Sequence, residues 1–141
     1  MFNYLDFLIY CHAGNSNDKV IKNFKFTQRS SVEHFYAQQI EGERDKLDHE
    51  NLHRFGNLCL ISSSKNSSIG NRLPSAKRDY FMPEIRKGKI DTLKLYLMIQ
   101  MLEEKNVWKK EQILDHEKKM LDLFESDYKD FCEMSVGESI Q

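Results

Sequence analysis

The sequence predicts a mostly helical α+β fold in a single domain that spans residues 1–141. A chain of 141 residues is long enough to bury one hydrophobic core. Apolar residues make up 40% and charged residues 30% of it, a balance typical of folded globular proteins rather than disordered ones. From Asp91 to about Met134, apolar residues recur at every third or fourth position. This periodicity predicts long amphipathic helices in the second half of the chain.

The N-terminal segment MFNYLDFLIY predicts another amphipathic helix, with Phe2, Leu5, Leu8 and Ile9 on one face. The segment has no basic n-region and no small-residue cleavage site, so it does not resemble a signal peptide. No apolar run approaches the roughly 20 residues that a membrane span requires. We therefore expect a cytoplasmic protein that has no membrane partner.

Short apolar segments between the helices predict strands. FKFT at 24–27 alternates apolar and polar residues, SVEHFY at 31–36 continues as a second strand or strand end, and GNLCLIS at 56–62 reads as a short apolar strand. The serines after it can cap a helix that begins near Lys65. The expected architecture is a small strand–strand–helix insert over about residues 24–72, packed on a helical scaffold. The C-terminal part of that scaffold spans about residues 74–134.

Charge is distributed unevenly along the chain, although the net charge is only −1. Residues 60–90 contain seven basic and two acidic side chains, whereas residues 99–141 contain six lysines and eleven acids. The nearly neutral total argues against a protein that coats DNA without regard to sequence. The basic segment still permits a polyanion to dock on one face. An ordinary solvated surface is the alternative interpretation.

Cysteines and most histidines belong to no chemical motif. Cys11, Cys59 and Cys132 are far apart and form no CxxC pair, so we expect buried or half-buried free thiols rather than a disulfide or zinc site. We expect the remaining histidines outside the motif at the surface: His12, His49, His53 and His116. His53 is close to Asn57 in sequence and could approach a site built around that residue.

Three stretches, EHFYAQ, GNLCLISSSKN and AKRDY, carry a resemblance to a known family. In this order they resemble the HNH nuclease motif, also called the ββα-metal finger. More specifically, they resemble the C-terminal nuclease domain of the GmrSD type of modification-dependent restriction enzymes. In that family an EHxxPQ stretch is followed by GNLxLLS, an Asn, and a Lys before a Tyr. The resemblance extends from about Asn3 to Phe124, and Ala37 stands where the family has a proline.

The resemblance implies a role for four residues in hydrolysis of DNA phosphodiesters. His34 would be the general base, Asn57 would brace the loop and orient His34, and Glu33 and Asn66 would be metal ligands. An imidazole can accept a proton from water near neutral pH, and Mg²⁺ or Mn²⁺ prefers oxygen ligands such as carboxylate and amide oxygens. Because adjacent side chains of a regular strand point to opposite faces, the strand must end or bend at Glu33 and His34 for both to reach one phosphate.

Basic residues close to the motif are candidates for contact with DNA phosphates. They are Lys65, Arg72, Lys77 and Arg78. The resembled enzymes also carry an N-terminal domain that binds and hydrolyses nucleotide. The resemblance therefore implies DNA as substrate and such a domain or subunit as a partner.

Two functions are consistent with these residues. The first is a metal-dependent HNH endonuclease domain that takes part in defence against foreign DNA. The second is a catalytically inactive HNH-like remnant that acts as a nucleic-acid-binding or protein-docking module. The intact His34 and Asn66 favour the first function, and Ala37 favours the second.

Overall fold

Seven α-helices and one two-stranded sheet form the part of the chain that the computed structural model describes, residues 1–40 and 46–140. The helices are α1 (Phe2–Ala13), α2 (Lys19–Lys22), α3 (His49–Leu52), α4 (Ser63–Ile69), α5 (Pro74–Arg86), α6 (Leu93–Lys105) and α7 (Lys110–Ile140). The strands are β1 (Ser31–His34) and β2 (Leu58–Ile61), and a 3₁₀ turn covers Phe55–Asn57. The mostly helical α+β fold is confirmed. Among the described residues, no helix combines the length and apolarity needed to cross a membrane.

The sheet and the helix after it form a ββα unit. β1 and β2 pair antiparallel, with Ser31 opposite Ile61 and His34 opposite Leu58. α4 begins directly after β2 and packs against β1. The two strands of the unit are therefore joined by the long segment between residues 34 and 58 rather than by a tight hairpin turn.

The predicted strand at 24–27 is wrong, because these residues pair with no strand within the described chain. The alternation of FKFT has another origin. Phe24 is buried with Leu5 and Ile9 in a small apolar cluster, while the ring of Phe26 packs edge-on against those of Phe24 and Tyr10 at 5.1 and 5.4 Å. The two aromatic side chains thus anchor an irregular segment on α1.

Helix α6 lies between two apolar clusters and contributes to both. Leu93 packs with Leu5, Ile9 and Met120 in the smaller cluster. The larger cluster joins α6 to the ββα unit, α5 and Trp108; its α6 members are Leu95, Met98, Ile99, Met101 and Leu102. Helix α1 contacts both α6 and α7, which confirms the predicted amphipathic face of the N-terminal helix. The helices form the scaffold on which the ββα unit rests.

Gly56 lets the 3₁₀ turn before β2 approach α7 closely. A Cβ at this position would lie 2.1 Å from the carbonyl oxygen of Ile113 and 2.8 Å from Cβ of Glu117. No larger residue fits there without moving the backbone. The Glu117 carboxylate accepts hydrogen bonds from Gly56 N at 3.3 Å and from Arg54 Nε at 3.0 Å. These contacts hold the turn that leads into β2 on the long C-terminal helix.

The three cysteines are free, but they differ in exposure. Cys59 is buried and Cys132 is half-buried, whereas Cys11 is exposed, contrary to the prediction for that residue. Burial raises the pKa of the Cys59 thiol to about 12. A thiol in this state is not a nucleophile near neutral pH, so Cys59 belongs to the core.

Candidate functional site

The end of β1 separates Glu33 and His34 onto opposite faces of the strand. Successive side chains alternate across a strand, and β1 pairs with β2 in regular register through His34. Glu33 is buried and His34 is half-buried. The two side chains predicted to act on the same phosphate therefore enter different environments, one the interior and one the surface.

The His34 imidazole has polar neighbours from two segments. Its Nε2 lies 3.0 Å from Nδ1 of His53, and the Gln38 amide nitrogen lies 3.2 Å from the same His34 nitrogen. The His53 ring also packs edge-on against His49, with ring centroids 4.5 Å apart. His53 follows α3, whose N-terminus is capped by Asp48 through a 2.9 Å bond to Asn51 N. The cap and the short helix thus hold a second imidazole against His34.

Burial, and then the charges of His53 and Lys77, lower the pKa of His34 below its ordinary value. The neutral imidazole is the form that accepts a proton, so a lowered pKa keeps His34 available as a base at neutral pH. In the hydrogen-bonded pair of imidazoles, one nitrogen donates and the other accepts. The pair therefore holds His34 in a defined orientation. Its other ring nitrogen, Nδ1, lies 3.3 Å from the Gln38 amide nitrogen and is basic in the tautomer in which Nε2 donates to His53.

Glu33 is bonded to the ammonium of Lys77 in the interior. Lys77 is only 1% exposed, and it donates both to the Glu33 carboxylate and to the main-chain carbonyl of His34. This lysine, on α5, closes the buried face of the strand end whose other face carries the His34 imidazole. The burial of Lys77 does not fit the predicted contact with a DNA phosphate, because its charge is used inside the protein.

Asn57 braces the segment that follows His34. Its side-chain oxygen accepts from Tyr36 N at 2.9 Å and from Trp108 Nε1 at 3.0 Å. Its side-chain nitrogen donates to Tyr36 O at 3.1 Å and to Leu52 O at 2.8 Å. Asn57 is fully buried, so these four bonds satisfy its amide completely. The arrangement agrees with a bracing role, and it leaves no capacity for contact with substrate.

We expect Asn57→Ala to destabilise the domain by about 2–3 kcal/mol, because it leaves the Tyr36 amide and the Trp108 indole nitrogen buried without acceptors. Urea denaturation followed by Trp108 fluorescence measures the loss. Asn51→Ala is a control, since Asn51 is also buried but its side chain bonds to the exposed Asp48. An Asn57→Ala chain as stable as the Asn51→Ala chain would contradict the bracing role.

Asn66 lies at the opposite end of β1 from His34. Its amide nitrogen donates to Ser31 Oγ at 2.6 Å, so its amide oxygen keeps its capacity as an acceptor or ligand. His34 is three positions after Ser31, which corresponds to about 10 Å along the strand. The structure thus places Asn66 beside the start of β1 and not against the imidazole.

The other three predicted phosphate contacts already have partners. Lys65 bonds to Glu84 Oε2 at 2.6 Å and to Asp91. The Arg72 guanidinium lies over the ring of Tyr80, 5.8 Å from its centroid, and Arg78 Nε bonds to Asp79 at 3.2 Å. The acidic partner of Arg78 is largely exposed, so water and salt screen the Arg78–Asp79 pair more than the others.

A divalent cation held by Glu33 does not fit this arrangement. Its carboxylate is buried and bonded to an ammonium, and a cation would have to displace Lys77 to reach it. Within residues 1–40 and 46–140, no group of three or more histidine, cysteine or acidic side chains is placed to hold a metal ion. The amide oxygen of Asn66 is the ligand atom that remains from the predicted pair.

Two residues near His34 had no role assigned from the sequence. His53 was predicted to be exposed, which is correct, and its proximity to Asn57 was the signal that it could reach the site. Gln38 is the last residue of the EHFYAQ stretch and stands where the family pattern EHxxPQ has its glutamine, which was the signal that could have found it. His116, by contrast, was predicted at the surface and is 1% exposed, because α7 turns it toward Trp108, with ring centroids 5.9 Å apart.

The fold and the site define a class: a small α+β domain in which a ββα unit, mounted on helices, presents a histidine at the end of its first strand. The family of GmrSD restriction endonucleases, C-terminal domain, matches residues 2–123, and the chain belongs to this family. The match covers β1, β2, α4 and most of the helical scaffold. No curated protein and no solved structure gives a significant match.

Proposed function

We propose that the chain hydrolyses phosphodiester bonds of DNA as the nuclease domain of a restriction system directed against foreign DNA. Membership in a family of restriction endonuclease domains supports the reaction class. The observation that carries the proposal is the His34 imidazole, half-buried, with a lowered pKa and backed by His53 at 3.0 Å. Such a group is suited to activating water near neutral pH.

His34 acts as the general base in this proposal. A water proton passes to the ring nitrogen of His34 that does not face His53. The water oxygen forms a new bond to phosphorus while the bond from phosphorus to the leaving sugar oxygen breaks, and that oxygen takes up a proton from a solvent water to leave as a hydroxyl. His53 keeps the ring oriented, and the Lys77 bond to the His34 carbonyl keeps the strand end in place. General-base catalysis of this kind contributes about 10²- to 10⁴-fold.

The requirement for Mg²⁺ or Mn²⁺ stays a prediction from the family resemblance. Such a cation, when bound, would stabilise negative charge on the phosphate. Asn66 could supply one oxygen ligand, because Mg²⁺ commonly keeps several waters and takes phosphate oxygens of the substrate. Glu33 does not serve as a ligand while Lys77 holds it. We also propose, from the same resemblance, that a nucleotide-hydrolysing domain or subunit assists the nuclease.

Nicking of supercoiled plasmid by the purified chain tests the function. Plain and modified DNA are offered in Mg²⁺, in Mn²⁺ and in EDTA. We expect conversion to the nicked or linear form in at least one metal. Loss of cleavage in EDTA would support the cation, whereas equal cleavage in EDTA would exclude it. A folded chain that cleaves none of these substrates, even with a nucleotide-hydrolysing partner added, would contradict the proposal.

The second candidate is a module that binds DNA or protein without cleaving. The buried Glu33–Lys77 pair favours it, because the carboxylate predicted to bind metal is neutralised inside the domain. This module would bind DNA in EDTA with the affinity it shows in Mg²⁺ and would nick no plasmid. The plasmid assay and a binding assay on the same preparation therefore separate the two candidates.

A further inference from the structure

A cavity of about 380 Å³ opens where the end of α5 meets the segment that follows α2. Its wall includes Lys25 and Arg29 from that segment, Lys65 from α4, and the Lys87–Asp91 turn after α5. The backbone reverses at Gly88, which has a positive φ of 77° and places a lysine on each side of the turn. Three separate parts of the chain thus bring basic side chains to one concave surface.

The cavity carries an excess of positive charge. Five basic residues line it, against the two carboxylates of Glu84 and Asp91. Both carboxylates are bonded to the Lys65 ammonium, and Asp91 also accepts from Ser62 N at 2.8 Å. The ion pairs found within the described residues include none for the other four cations: Lys25, Arg29, Lys87 and Lys89. The two carboxylates therefore position Lys65, and the positive charges of the other four residues remain available to a ligand.

Arg29 supplies a second, independent observation. Its Nε is buried and has no hydrogen-bond partner among residues 1–40 and 46–140. A buried donor without an acceptor costs about 1–3 kcal/mol, and more when the group is charged. The planar guanidinium presents its donors in a fork that matches the oxygens of a phosphate. Arg29 also lines the cavity, so an anion there would supply the missing acceptor once the side chain turns Nε toward it.

The cavity is near enough to His34 for one nucleic-acid strand to reach both. Arg29 precedes His34 by five residues, which an extended chain spans in at most about 18 Å. This distance corresponds to about five nucleotides of rise along a B-form strand. Lys65 is also next to Asn66, whose amide bonds to Ser31 at the start of β1. The separation along the chain is therefore short enough for one nucleic-acid strand to contact both the cavity and the imidazole.

We propose that this cavity binds a backbone phosphate of the DNA strand whose neighbouring phosphodiester is presented to His34. The assignment deepens the proposed nuclease function and rests on it for the identity of the ligand. The chemistry of the cavity is that of a phosphate site. A free nucleotide would offer the same group, so the test includes both sources.

The test compares two triple variants of equal net charge. The cavity variant is Arg29→Gln/Lys87→Gln/Lys89→Gln. The control removes three exposed lysines from α6 and α7: Lys105→Gln/Lys118→Gln/Lys129→Gln. Both are made in a chain that also carries His34→Ala, and binding of a fluorescent single-stranded oligonucleotide is measured in EDTA by anisotropy at several salt concentrations. Thermal denaturation by circular dichroism confirms that each variant is folded.

We expect the cavity variant to bind about tenfold or more weakly, with a salt slope smaller in magnitude by about 2, since each lost phosphate contact removes about 0.7 from the slope for a single strand. The control variant should bind within about twofold of its parent. Equal weakening of both variants, or of neither, would overturn the assignment. Binding of ATP or pyrophosphate to the parent chain, lost in the cavity variant, together with no binding of the oligonucleotide would overturn it in favour of a free nucleotide or phosphate.

The two proposals fail separately in this design. Binding that depends on the cavity, with no plasmid cleavage by the wild-type chain, would uphold the phosphate site and contradict the hydrolysis. Cleavage by the wild-type chain with oligonucleotide binding unaffected in the cavity variant would uphold the hydrolysis and contradict the phosphate site.

Discussion

His34→Ala should lower the rate of plasmid cleavage by about 10²- to 10⁴-fold, the contribution typical of a general base. The domain should remain folded, because His34 is half-buried and, among the described residues, its ring bonds to the exposed side chains of His53 and Gln38. Single-turnover cleavage under conditions where the wild-type chain is active measures the loss. Circular dichroism and urea denaturation measure the fold.

His12→Ala is the matched control, since His12 is exposed on α1 and belongs to a different part of the surface. It should cleave at the wild-type rate. A His34→Ala chain with full activity, or an equal loss in the His12→Ala chain, would contradict the role assigned to His34.

We expect His53→Ala to shift the pH dependence of the cleavage rate, which a purely structural role of His53 would not do. The base acts when neutral, so the cleavage rate rises with pH through the pKa of His34. Burial and then the charge of His53 hold that pKa below its ordinary value. Removing His53 exposes the ring and removes the charge, so the pKa rises and the acidic limb of the profile moves to higher pH. An unshifted limb would show that His53 does not act through His34.

The second large effect concerns the buried ion pair. We expect Lys77→Met to destabilise the domain by about 3–5 kcal/mol, because it leaves the Glu33 carboxylate charged and unpaired in the interior. Glu33→Met should destabilise the domain by a similar amount, because it leaves the Lys77 ammonium buried without its carboxylate partner. The double variant Glu33→Met/Lys77→Met should recover most of the loss, since it buries no charge. Urea denaturation of all four chains gives the coupling free energy.

Arg78→Met controls for the loss of a cation from the same helix. Its partner Asp79 is 71% exposed, so this variant should cost less than about 1 kcal/mol. Equal effects at Lys77 and Arg78 would contradict the importance of the buried pair. Mn²⁺ adds a further readout: a melting temperature raised by Mn²⁺ in the wild-type chain but not in Glu33→Gln would show that the cation displaces Lys77 and that Glu33 is a ligand after all.

Local patterns in the sequence predicted many of the elements correctly. Asp48 caps α3, GNLCLIS contains β2, and the three- to four-residue spacing after Asp91 predicted α6 and α7. These features depend on neighbours a few residues apart, which the sequence displays directly. The strand predicted for FKFT was wrong because a strand depends on a distant partner rather than on near neighbours. Its alternation matches a strand, but a strand needs a partner, and within the described chain only β1 and β2 pair.

The candidate site likewise has features that the sequence predicted and features that it did not. The EH, GNL and KN stretches were enough to select His34, Asn57 and Asn66, and they predicted the family to which the chain belongs. They did not show that Asn57 bonds to Trp108, 51 residues away, or that Asn66 meets Ser31. Residue type and spacing express what chemistry a segment can perform, but not which distant group is already bonded to it.

The sequence by itself determined the helical α+β class, the ββα order and the histidine at the strand end. Only the tertiary structure decided which charged side chains pair in the interior and which line the cavity. Lys77, counted from the sequence as a basic residue for DNA, is bonded to Glu33, while Lys25 and Arg29, outside the predicted basic segment, line a cationic cavity with Lys87 and Lys89. The reason is physical: a buried charge must be paired, and the pairs form between residues brought together by packing rather than by sequence.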